Sequence, residues 1–214
     1  MAIAFDSAPG GFALSGGTTT TQSFTNTAGN LVLLGIDLNT STVTATVTYG
    51  GVAMTAHPSN PTDISGYRCQ TFYLIGAATG ANNFVITLSS ALGGSAVPVS
   101  YSGIGTGSVI DASNVATSAS TTSLGVTVTT VADNCWVMGF WRNGVGGTTP
   151  GAGTTQRGGA GNNLTWMDNN AAKTPPGAVT ITGTWSPAGF GYVQAMSFSP
   201  TDVITVNANF FALM

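Results

Sequence analysis

Two stretches of this chain repeat one another. Ala28-Gly29-Asn30-Leu31-Val32-Leu33-Leu34-Gly35 returns as Ala132-Asp133-Asn134-Cys135-Trp136-Val137-Met138-Gly139. Val99-Ser100-Tyr101-Ser102 returns as Met196-Ser197-Phe198-Ser199. Two long copies exclude a solenoid, which needs at least three stacked units to bury its faces. They point instead to two similar half-sheets, at roughly 18–104 and 120–199, closed into one sandwich. Either half alone would leave an apolar face bare, so one shared domain over residues 18–200 is expected.

The segments between the anchors read as strands. Val43, Ala45, Val47 and Tyr49 alternate with Thr44, Thr46 and Thr48, a period of two with one apolar and one hydroxylated face. Phe84, Ile86 and Leu88 follow the same rule, as do Val97, Val99 and Tyr101, Val126 and Val128, and Val179, Ile181 and Trp185. Pro98 inside such a run suggests an edge or a bulge, because it cannot donate to a ladder. Residues 31–36 and 135–141 are apolar on both faces and read as central strands covered on both sides. Gly/Pro/Asn/Ser clusters separate the runs, and no stretch has helical periodicity with caps. The expected fold is all-β: a jelly-roll-like or immunoglobulin-like two-sheet sandwich of about eight to ten strands, built from two degenerate repeats. Residues 1–17 form an N-terminal arm outside the repeat, 105–120 a crossover, and 201–214 an apolar C-terminal tail.

Charge narrows the function classes. Charged residues make up 5% of the chain, Glu is absent, and the four cations are Lys173, Arg68, Arg142 and Arg157. A phosphate backbone needs clustered Lys and Arg, so no nucleic-acid partner is expected. No apolar run approaches the length of a membrane helix. The start of the chain lacks a basic then apolar leader, so synthesis in a cytoplasm without export is the expectation. Cys69 and Cys135 lie in strand-like runs and read as buried free thiols.

No catalytic, cofactor or metal set is expected. His57 is the sole histidine and reads as a solvated loop residue beside Pro58. It lacks neighbours at metal spacing, and no nucleophile elbow accompanies it. Asp37, Asp63 and Asp168 could in principle supply a carboxylate pair, but all sit where turns use Asp anyway. Trp136 and Trp141 read as core. Trp166 and Trp185, beside Gly-rich loops, are the candidates for stacking on a glycan.

The succession Asn30-Leu31-Val32-Leu33-Leu34-Gly35, Val47-Thr48-Tyr49-Gly50-Gly51-Val52-Ala53-Met54-Thr55, Phe72-Tyr73-Leu74, Val99-Ser100-Tyr101-Ser102-Gly103-Ile104 and Val109-Ile110-Asp111-Ala112 resembles β-sandwich domains of tailed-phage virion proteins and some bacterial surface proteins. The likeness spans residues 20–200 and carries no functional residues. With the absence of a catalytic set, it implies a non-enzymatic virion structural protein, a capsid decoration (cement) protein first and a glycan-binding fibre or surface lectin-like module second. The expected partners are copies of the chain itself and a major capsid or other virion protein, with a glycan under the second reading. The tail residues Val203, Ile204, Val206, Phe210, Phe211, Leu213 and Met214 would be an aggregation liability in water. They are therefore expected at an assembly interface, added as a strand to a neighbour's sheet edge.

Overall fold

The structure, a computed structural model, describes residues 1–107, 110–160 and 163–200. All regular structure in it is β. The first repeat contributes β1 (Ala4–Ser7), β2 (Phe12–Ala13), β3 (Thr19–Asn26), β4 (Leu31–Leu38), β5 (Ala45–Tyr49), β6 (Val52–Ala53), β7 (Thr55–Ala56), β8 (Thr62–Ile64), β9 (Tyr67–Ile75), β10 (Gly80–Leu88) and β11 (Gly94–Ser102). The second contributes β12 (Ala112–Thr129), β13 (Trp136–Asn143), β14 (Thr149–Pro150), β15 (Thr155–Ala160), β16 (Leu164–Asp168) and β17 (Ala178–Phe198).

The sandwich has three antiparallel sheets. One runs β1-β11-β4-β9-β7, with β2 also on β11 and β8 on β9. The second runs β3-β10-β5-β6, and the third β12-β17-β13-β16-β15, with β14 on β17. The third sheet merges what the first repeat keeps apart. Its 18-residue β12 does the work of β1 and β3, and its 21-residue β17 that of β10 and β11. The β12–β17 ladder slips its register between Ser118 and Ser123. Such irregularities bend a sheet, and here they let its two ends face each other.

Three cores result. Val32, Leu34 and Ile36 of β4 meet Phe24, Val47, Phe84 and Ile86 of the second sheet. Leu31, Leu33, Val99 and Tyr101 meet Trp136, Met138, Phe140, Trp166 and Phe198 at the seam between repeats. Val126, Val128, Ile181 and Trp185 meet Val137, Trp141, Met167 and Val193 inside the folded third sheet. β4 and β13 are buried along their whole length, covered on both faces as their unbroken apolar runs require. The core reading of Trp136 and Trp141 holds, and both cysteines are buried and unbonded.

The duplication extends to individual hydrogen bonds. Asp6 accepts from the backbone N–H groups of Thr27 and Ala28 and from the Ser100 hydroxyl. Asp111 accepts from those of Val131 and Ala132 and from the Ser197 hydroxyl. Three details differ from the sequence reading. Residues 4–7 and 12–13 are strands paired to β11, so the N-terminal segment completes the first repeat. The second repeat also carries one extra residue after Ala132. Tyr101 pairs with Leu31, and its counterpart Phe198 pairs with Trp136, not Cys135. A one-residue slip exchanges the faces of a strand, so Gly35 is equivalent to Phe140 and not to Gly139. Pro98 sits on a central strand, not an edge, opposite the gap between β1 and β2 where no second ladder partner is needed.

Candidate functional site

A set of buried polar side chains lies on the seam, and their placement follows a pseudo-twofold axis. Strand pairing makes Gly35 equivalent to Phe140 and Asp37 to Arg142, because Val97 and Gln194 occupy matching positions opposite Gly35 and Phe140. Both pairs touch. A Cβ on Gly35 would lie 2.3 Å from the Phe140 ring, and Arg142 Nε donates to Asp37 Oδ2 at 3.0 Å. Contact between equivalent positions places the axis between β4 and β13. Off the axis, contacts come in matched pairs. The Thr71 hydroxyl donates to Gln194 Oε1, and its equivalent Trp166 donates from Nε1 to the Val97 carbonyl at 2.8 Å. The Tyr101 hydroxyl donates to Asp168 at 2.8 Å, and the matching Phe198 and Tyr73 rings meet edge to face.

Each buried charge is neutralised locally. Asp168, fully buried, accepts from Arg157 Nε at 2.7 Å, from Tyr101 and from the Asn170 N–H. Burial and the Asp168 charge push the Tyr101 phenol well up, so it stays a neutral donor. The Arg142 guanidinium lies 4.5 Å from the centre of the Tyr67 ring and 5.1 Å from that of Phe190. Burial raises the Asp37 carboxyl despite Arg142 beside it, and it pushes Cys69, which reaches Asp37 through its thiol, well up. This arrangement ties the repeats together and keeps its nucleophiles protonated.

His57 departs from the sequence reading. It is 2% exposed, not solvated. Its Nδ1 accepts from the Ser59 N–H at 3.0 Å, so the proton sits on Nε2, which donates to the Ala195 carbonyl at 3.2 Å. Burial lowers its pKa below the ordinary 6.5. An isolated His-Pro beside Ser and Asn has the composition of a loop, so its burial is not legible from the residues around it.

What remains outside is nearly free of charge. Asp37, Asp63 and Asp168 each hold one of the three arginines, Asp6 and Asp111 cap backbone, and Asp133 accepts from Thr174. The outer face of the second sheet carries the row Thr19–Thr87–Thr46, exposed and side by side. The far end of the third sheet repeats it as Ser123–Thr184–Thr149. Beyond the first row, Gly50, Gly51, Asn82, Asn83 and Val85 line a shallow depression of ≈ 440 Å³. Among the described residues no three His, Cys, Asp or Glu converge as metal ligands. Trp166 is fully buried and Trp185 is 4% exposed, so neither ring offers a face to a sugar. Val203, Ile204, Val206, Phe210, Phe211, Leu213 and Met214 lie outside the described residues. No protein-family model matches the chain, and neither a curated protein nor a solved structure does.

Proposed function

We propose that the chain is a non-enzymatic virion structural protein of a tailed phage, serving as a capsid decoration protein. The observation that carries this reading is the use of ionic side chains inside the fold, which leaves a hydroxylated, almost uncharged exterior. Such a surface lacks the charge that keeps free proteins apart, and it suits a subunit packed against copies of itself and a capsid lattice. The two hydroxylated sheet faces, at opposite ends of the stack of cores, give the subunit two similar surfaces to present. The resemblance to phage sandwich domains points the same way. Quantitative mass spectrometry of purified particles tests it: the chain should stand among the most abundant polypeptides, and purified protein should bind particles that lack it. A copy number of a few per particle, or no association, sinks the decoration role.

A glycan-binding fibre or lectin-like module is the second reading. The depression beside Asn82 and Asn83 favours it, since the Asn83 amide next to an apolar Val85 can meet sugar hydroxyls. Binding on a glycan panel that disappears with Asn82→Ala and Asn83→Ala would favour this module over the decoration role.

A further inference from the structure

We propose that His57 is a proton-operated latch that holds residues 55–64 over the outer edge of β9 and against the second repeat. The cover is continuous. β7 pairs with Tyr73 and Phe72, and β8 pairs with Cys69, Arg68 and Tyr67. Between them the His57 N–H and the Asn60 amide serve the backbone of Thr71. β7 has two residues and β8 three, so their ladders are too short to hold by themselves. The anchors are lateral. His57 Nε2 reaches Ala195, and Gln194 Nε2 donates to the Ser59 carbonyl and the Thr62 hydroxyl.

A second proton on His57 breaks this arrangement directly. Nδ1 becomes a donor facing the Ser59 N–H, and two donors cannot share that bond. Among the described residues nothing nearby offers compensation. Asp63 on β8 is held by Arg68 on β9 through two bonds of 2.8 Å. Cys69 on β9 and Tyr192 on β17 are both pushed up and stay uncharged, and Asp37 on β4 is held by Arg142 on β13. A buried imidazolium without a carboxylate is expelled toward water, and the segment carrying it leaves with it. Among the described residues the second repeat has no such device. There β15, a six-residue strand without histidine, covers β16 by a ladder of its own with one irregularity between Gln156 and Gly158. Acid therefore bares the edge of β9 while β16 stays covered.

The chain's single histidine makes the test direct. Its imidazole signal is followed by NMR against pH, alongside amide exchange of residues 67–75 and 164–168, corrected for intrinsic rates. The expected result is a titration below 6.5. Protection of the β9 amides that face this cover, Thr71 among them, should then fall by up to about tenfold per pH unit between 6.5 and that midpoint, the limit for one linked proton. The β16 amides should hold. In His57→Phe the acid response of β9 should vanish. Protection of β9 that persists through the histidine titration overturns the latch, as does a titration at or above 6.5 or an unchanged response in His57→Phe. If that variant does not fold, the wild-type comparison of β9 with β16 decides alone.

Discussion

Gly35→Ala puts a single methyl group onto the pseudo-twofold axis. Alanine ordinarily suits a strand interior better than glycine, by about 0.5–1 kcal/mol. Here the new Cβ would lie 2.3, 2.4 and 2.5 Å from three atoms of the Phe140 ring, where ordinary contact begins at 3.4 Å. The ring must retreat by about 1 Å to restore ordinary contact, which forces off-rotamer side chains or backbone shifts. It has little room, because it is fully buried, with the Trp166 ring centre at 5.3 Å and that of Tyr192 at 6.3 Å. Overpacking of this kind costs about 1–3 kcal/mol, and an immobile neighbour places this case near the top. The expected loss is about 2–3 kcal/mol, or roughly 4–12 °C in Tm for a chain of this length. Phe140→Ala should cost about 3–5 kcal/mol through its cavity. With the ring gone, Gly35→Ala should become neutral or stabilising, so the two changes couple by about 2 kcal/mol or more. Urea unfolding followed by tryptophan fluorescence measures all four corners of this cycle. Gly35→Ala within about 0.5 kcal/mol of the parent, well under the overpacking range, refutes the seam geometry. So does an equal loss in both backgrounds.

Other outcomes follow from the same contacts. Asp168→Ala leaves Arg157 and Tyr101 facing each other in a buried site and should destabilise by about 3–5 kcal/mol in urea unfolding. Asp6→Ala and Asp111→Ala each remove three charge-assisted bonds from equivalent turns, so their losses should agree within about 1 kcal/mol and each should exceed about 1.5 kcal/mol. Thiol titration should find no rapidly reactive cysteine in the native protein and two after denaturation without reductant, since both are buried and free. Burial and the Asp111 charge push Cys135 up to about 12. The folded state thus retains a proton that the unfolded chain releases, and stability should be flat from about pH 7 to about pH 9 and decline as pH rises from there toward 12.

Alternation made the strands legible, and the doubly apolar runs of β4 and β13 marked the centre of the fold. The repeat was legible too, but its register was not. A single extra residue before Trp136 keeps Ala28 aligned with Ala132 and moves everything after it by one, and glycines at positions 35 and 139 favoured the wrong match. The clamp aspartates carry the right alignment, yet Asp6 sits in a Gly/Ser/Ala-rich segment whose strands β1 and β2 are too short to show a period. Three sheets arise where two were expected because the first repeat divides its strands between two sheets, whereas in the second Ser186-Pro187-Ala188-Gly189 is a bend within a continuous β17. The seam escaped notice for a different reason. Asp37, Arg142, Asp168 and His57 lie far apart in sequence and acquire meaning only when the repeats face each other.

Contact between equivalent positions also bears on which halves can pair. Two copies of the first repeat docked in the same way would set Asp37 against Asp37 and leave an empty space where Gly35 met Gly35. Two copies of the second would press Arg142 on Arg142 and drive one Phe140 ring into another. Only the mixed pair, acid with base and glycine with ring, is compatible with burial. Newly made chains therefore have a built-in way to tell their own missing half from the identical half of a neighbour, and exchange of repeats between chains is disfavoured at the spot where a symmetric pair would have been most permissive.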